Sequence, residues 1–167
     1  MDCVLFRHGI AVERTEWSGR DADRPLTDKG RTRTRQAASG LMRLDLVPFH
    51  LLSSPFVRAH DTAKLLHEAF RLKDEIRLCD ELLPGAAPDK LFPLLESFPA
   101  DACVICVGHE PHLSETAGIM LFGEPAACLS LKKAGACLIH FDGIPKPGRG
   151  YLQWWLGPGL LRALRKA

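Results

Sequence analysis

The sequence predicts a three-layer α/β/α sandwich with a largely parallel, mixed sheet, and three observations predict it. Short apolar runs of strand length alternate with stretches whose apolar residues recur at helical spacing. Turn and capping residues fall between the two kinds of stretch. The 167 residues contain no repeat, low-complexity tract or linker, so residues 1–167 are expected to form a single domain with one buried core.

Cys3 to Phe6 is a short apolar run suited to a buried central strand, and Val12 to Pro25 follows as a polar loop. Thr27 reads as an N-cap with Asp28 in the first turn, before a helix carrying Ala37, Ala38, Leu41, Met42 and Leu44. Phe49 to Leu52 makes a second strand. Ser54 and Pro55 read as N-cap and first residue of a helix whose buried stripe is Ala59, Ala63, Leu66 and Phe70. A weaker strand is expected at Glu75 to Leu78, a loop at Pro84 to Pro88, and a third helix through Leu91, Leu94 and Leu95. Ala102 to Val107 is the clearest buried strand, and Gly108-His109-Glu110-Pro111 turns into a fourth helix, Pro111 to Leu121. Ala136 to Phe141 and Tyr151 to Trp155 are strands joined by a Gly/Pro-rich turn, and a short basic helix closes the chain.

Composition excludes some functions. Apolar residues are 46% and charged residues 25%, and the formal net charge is only +2, which argues against a nucleic-acid binder. No apolar run approaches the roughly 20 residues needed to span a bilayer. Asp2 and Arg7 interrupt the apolar start, so it is not expected to act as a secretory signal. Cys103 and Cys106 have the spacing of a redox pair. Inside a strand, however, three residues' separation points the thiols to opposite faces, so both read as core residues of a cytoplasmic protein. Trp154 and Trp155 adjoin in a strand and should face different layers.

The chemistry collects at strand-to-helix junctions. Arg7 and His8 follow the first strand, Arg58 lies just after the second, and His109 follows the central one. In an open α/β sheet ligands bind outside the carboxyl ends of the strands, so parallel neighbours would bring these four residues together. Two arginines match phosphate oxygens, and a neutral imidazole is a competent nucleophile near pH 7. The nucleophile needs one ring nitrogen free and the other fixed by donating to a carbonyl. Gly9 is expected to let the backbone pass close to that ring or to the phosphate. The helix starts after Ser54 and Gly108 are expected to add backbone donors. A metal site is not expected, because His109 and His112 lack completing thiolates or carboxylates. His50, His60, His67 and His140 read as surface or core-edge residues. Arg14, Arg20, Arg31, Arg33 and Arg35 read as solvated charge, with the Arg14 to Arg24 loop able to border the pocket.

Three segments resemble the histidine phosphatase superfamily. Val4-Leu5-Phe6-Arg7-His8-Gly9 resembles its strand and RHG signature, and Ser53-Ser54-Pro55-Phe56-Val57-Arg58-Ala59-His60-Asp61-Thr62-Ala63 its second block. Val107-Gly108-His109-Glu110-Pro111 resembles its third. Arg24-Pro25-Leu26-Thr27-Asp28-Lys29-Gly30 is similar to the SixA-type phosphohistidine phosphatase group. The resemblance implies a phosphoglycerate-mutase-like fold and a phosphatase without metal or other cofactor. His8 would carry the phosphoryl group, His109 would be the second catalytic histidine, and Arg7 and Arg58 would bind phosphate. The implied partner is a phosphorylated substrate, possibly a phosphohistidine-bearing protein. Ile10-Ala11-Val12 departs from the Trp-Asn pattern of phosphomutase-like members, and Leu82-Leu83-Pro84-Gly85 departs from their general-acid motif. Glu81 is the candidate acid near that place. The competing readings are a small-molecule phosphomonoesterase or mutase of the superfamily, and a non-catalytic phosphate-binding module.

Overall fold

A computed structural model describes residues 1–47 and 50–165. Among these, six strands form one sheet: β1 (Asp2–Arg7), β2 (His50–Ser53), β3 (Arg77–Leu78), β4 (Cys103–Gly108), β5 (Ala136–His140) and β6 (Tyr151–Leu156). Their order across the sheet is β3-β2-β4-β1-β5-β6. The first four strands run parallel and β5 is antiparallel to both its neighbours, so the sheet is mixed and largely parallel as predicted. Five helices cover it: α1 (Asp28–Leu41), α2 (Val57–Phe70), α3 (Leu91–Leu95), α4 (His112–Phe122) and α5 (Pro158–Leu164).

Two cores follow from the two-residue period of the strands. On one face Cys3, Leu5, Val104, Cys106, Cys137 and Ile139 meet apolar residues of α3 and α4. On the other, Val4, Phe6, Ile105 and Val107 meet the stripes of α1 and α2, with Leu161 of α5. Each fully buried Leu or Phe here contributes about 1.5–3 kcal/mol. Cys103 and Cys106 fall in opposite cores, as their spacing required, and Trp154 and Trp155 pack on opposite faces.

Thr27 caps α1 as expected, its hydroxyl accepting from Gly30 N at 2.9 Å. The start of α2 differs from the expectation. The chain stays extended through Phe56, at φ −62° and ψ 134°, and the helix begins at Val57 rather than Pro55. Ser54 Oγ accepts from Phe56 N at 3.3 Å, two residues on, and is also held by a distant histidine. The third strand shrinks to Arg77–Leu78 because it is an edge paired only through Leu52 and Ser53. Phe49, the expected first residue of the second strand, lies outside the described residues.

The last helix docks through one glycine. A Cβ on Gly40 of α1 would stand 1.7 Å from the carbonyl oxygen of Leu161, so the two backbones touch there. Alanine is worth up to about 1 kcal/mol over glycine inside a helix. Overpacking against backbone typically costs ~1–3 kcal/mol and here outweighs that gain. Gly40→Ala is therefore expected to lower the denaturation midpoint; an unchanged or higher midpoint would contradict the contact.

Candidate active site

The carboxyl ends of β1, β2 and β4 are knitted together. His8 N donates to Gly108 O at 3.1 Å, and Ser54 N donates to Val107 O at 2.9 Å. These bonds bring the predicted residues to one point. The His8 and His109 rings lie 5.0 Å apart between centroids, and both residues are buried. Arg58, the second residue of α2, and Arg7, the last of β1, are the two guanidinium groups of the junction.

His8 is oriented by its own loop. Nδ1 lies 2.7 Å from the carbonyl oxygen of Gly9. A carbonyl only accepts, so Nδ1 carries the proton and Nε2 keeps its lone pair. This is the arrangement a nucleophilic imidazole needs. The loop is anchored in turn: Gly9 N donates to Thr62 Oγ1 at 2.9 Å, and that hydroxyl donates to Arg58 O at 2.7 Å. The Gly9 backbone passes close to the His8 ring as expected, and a second constraint also fixes glycine there. An added Cβ would lie 2.2 Å from Thr34 Oγ1 of α1, so packing against that helix sets the requirement.

His109 is held from β2. Its Nε2 is 2.8 Å from Ser54 Oγ, and that oxygen already accepts from Phe56 N. Where the serine O–H donates to Nε2, Nδ1 is the protonated nitrogen and a free N–H donor; Nδ1 has no partner among the described residues. Phe56 stands edge-on to the ring at 5.4 Å, with the Arg58 guanidinium 4.9 Å over its own centroid.

Both arginines are braced. Arg7 Nη1 donates to Leu131 O at 2.7 Å. Arg58 Nη1 donates to Asp21 O at 2.8 Å and Nη2 to Asp21 Oδ2 at 3.0 Å. Each keeps a buried Nε without a partner among the described residues. Burial lowers both guanidinium pKa values, opposed by Glu110 at Arg7 and by Asp21 at Arg58, yet both remain cationic. Asp21 shows the counterpart. Burial alone would raise its carboxyl, but Arg58 and Arg24 outweigh it and hold the group below the usual range. The Arg14 to Arg24 loop does border the site, through Asp21. The helix α4 starts at His112, two residues past Glu110, so its first turn adjoins His109.

Burial, reinforced by the charges of Arg58, Arg7 and Lys133 and opposed by the Gly9 carbonyl, pushes His8 down to about 3. His109 is pushed down to about 2, first by burial and then by His8 and Arg58. A neutral His8 should therefore persist into acid. An ordinary imidazole of pKa about 6.5 would be only ~3% neutral at pH 5, a ~30-fold loss. Here kcat/KM, corrected for substrate ionisation, is expected to stay level from pH 7.5 to pH 5; a fall centred on the ordinary value would contradict the burial. The same depression makes acidification destabilising. Unfolded imidazoles take up protons below about 6.5 and the folded ones do not until far lower, so this part of the stability is full above pH 6.5 and declines below it.

Glu81 does not share the groove that opens beside Phe56. That groove, about 430 Å³, is lined by Asp21, Phe56, Asp80, Leu83, Pro84 and Ala86 among others. Glu81 lines the next one, with Lys90, Pro93 and Leu94, and Asp80 borders both. Ser54, Thr62 and Glu110 lie within the three blocks, whereas Asp21, Asp80 and Lys133 lie outside them and carry no sequence signal for this site. Among the described residues, no three His, Cys, Asp or Glu side chains are grouped to hold a metal ion, and no helix is long and apolar enough to cross a membrane.

Residues 3–83 match the family described as the histidine phosphatase superfamily (branch 1). An uncharacterised protein of Picosynechococcus sp. is 40% identical over 137 residues, covering 81% of this chain and 82% of that protein. The structure is similar to that of the protein histidine phosphatase SixA complexed with tungstate. The TM-score is 0.84 at 24% identity, over 96% of this chain and 99% of that one. It is also similar to the structure of a putative phosphohistidine phosphatase SixA from Nakamurella multipartitia, with TM-score 0.73 at 26% identity over 94% and 95% of the two chains.

Proposed function

The chain belongs to the histidine phosphatase superfamily, and from that premise we propose that it hydrolyses phosphoryl groups through a phosphohistidine formed at His8, preferring phosphohistidine carried on another protein and needing no metal. The observation that carries the reading is the His8 Nδ1 contact to the Gly9 carbonyl, which leaves Nε2 free at the junction that also bears the buried Arg58 and the half-buried Arg7.

In the first step Nε2 forms a bond to phosphorus as the bond from phosphorus to the leaving group breaks. The Gly9 carbonyl accepts from Nδ1–H throughout and stabilises the charge that develops on the ring. Arg7, Arg58 and the Nδ1–H of His109 face the negative equatorial oxygens, so a metal is not required to neutralise them. Water then attacks phosphorus, inorganic phosphate leaves, and His8 returns to its neutral form.

The groove beside Phe56 supports the substrate class. Its apolar wall and the carboxylates of Asp21 and Asp80 suit a neutral or cationic carrier better than one bearing further negative charge. A phosphohistidine whose ring is protonated also leaves as neutral imidazole and needs no separate acid. All six cysteines are unpaired thiols, which supports a reducing, cytosolic setting. The test compares kcat/KM for a phosphohistidine-bearing domain with that for sugar and nucleotide phosphates, each after exhaustive chelation. The phosphohistidine domain is expected to win by tenfold or more, about 1.4 kcal/mol of transition-state binding, with chelation having no effect. A small ester winning by that margin would overturn the substrate class. Activity lost on chelation and restored by a divalent cation would overturn metal independence.

A further inference from the structure

We propose that Lys133 is a third cation of the phosphoryl site, held at its rim by Glu13 and taken over by an oxyanion of the bound phosphoryl group. The inference rests on the phosphatase reading for its substrate, though not for its binding test.

The segment carrying Lys133 is fastened to the catalytic strand. Ala134 N donates to both Arg7 O and His8 O, each at 3.1 Å, and Arg7 N donates to Gly135 O at 3.0 Å. The Arg7 side chain donates to Leu131 O in the same segment. Ala134 adopts φ 59°, a left-handed conformation unusual for alanine, which these bonds hold. Lys133 is therefore built onto the end of the strand that bears His8, and its charge is among those that disfavour protonation of His8.

Charge balance says what the residue is for. A phosphoryl group brings two negative charges, and the arginines facing it are partly engaged already: Arg58 shares the Asp21 carboxylate, at 3.0 Å, with Arg24 and Arg14, and Arg7 lies in the field of Glu110. Lys133 Nζ lies 3.3 Å from Glu13 Oε1, and the two side chains are 33% and 63% exposed. An exposed pair of this kind contributes little, so a dianion in a buried site outcompetes the carboxylate for the ammonium. Glu13 then returns to water at small cost.

The full chain tests this with Lys133→Met, against Lys132→Met as a variant that removes the same charge from the exposed neighbouring residue. Binding of inorganic phosphate and orthovanadate is measured by calorimetry, and KM and kcat in turnover. Lys133→Met is expected to weaken phosphate about tenfold and to raise KM more than it lowers kcat. Lys132→Met should stay within about twofold of the parent, and Glu13→Gln should tighten phosphate by freeing the ammonium. Equal phosphate affinity in the two lysine variants would overturn the proposal, as would weaker phosphate binding by Glu13→Gln. If the parent bound phosphate but turned over no phosphate ester or phosphoramidate, the phosphatase reading would fail while the lysine comparison still decided this one. Thermal melts of both variants check that each is folded.

Discussion

Replacing His8 with alanine is expected to remove turnover almost entirely, by a factor of roughly 10⁴ or more, as loss of a covalent nucleophile does elsewhere. The size of the effect follows from the geometry. No second nucleophile stands in for His8, because His109 presents to the site an N–H rather than a lone pair if Ser54 donates to its other nitrogen. The fold should tolerate the change, since His8 is tied to the sheet by its backbone and its ring bonds only its own loop. His8→Ala should therefore still bind phosphate and melt near the parent's midpoint. His8→Asn keeps a polar group of similar size and should be as inactive. Near-normal turnover in either variant would contradict the mechanism.

Arg58→Ala is expected to have the second largest effect, ~10²–10³ in rate, or about 2.7–4 kcal/mol of transition-state stabilisation. Arg58→Lys should recover little. It keeps the charge, but the fork that bonds both the carbonyl and carboxylate oxygens of Asp21 has no counterpart in an ammonium. The lysine would also lose the flat contact over Phe56, which packs against His109. Removing Arg58 leaves Asp21 half-exposed and hydrated, still paired with Arg24 at 3.1 Å, so no buried charge is stranded. The loss should thus appear in kcat and in phosphate affinity rather than in stability. Full activity in the lysine variant would show that charge alone matters at this position.

Much of this site was legible in the residues because it lies where strands end. A two-residue period and a 3.6-residue period alternate along the chain, and the junctions between them carry Arg7, His8, Arg58 and His109. The same periods placed Cys103 and Cys106, and Trp154 and Trp155, on opposite faces. What was not legible has a common cause: it depends on contacts between segments far apart in the chain. Ser54 has the look of an N-cap, but His109 claims its hydroxyl and α2 begins at Val57. Gly9 was expected to bring the backbone close to the ring or the phosphate, and it does meet the ring, but the limit that Thr34 sets on its size was not legible. Asp21 and Lys133 arrive on loops with no periodicity, one bracing Arg58 and the other paired with Glu13 across 120 residues of chain. Asp80, one residue before the candidate Glu81, borders the groove beside Phe56 because the short turn Asp80–Leu82 faces it that way.

The central claim is that the phosphoryl group passes through His8 Nε2, and rapid quenching during turnover of a labelled substrate tests it most directly. The account predicts a phosphate label that is lost in acid, survives alkali and maps to the peptide containing His8. A label on any other residue, or hydrolysis at full rate with none trapped on the millisecond scale before steady state, would contradict it.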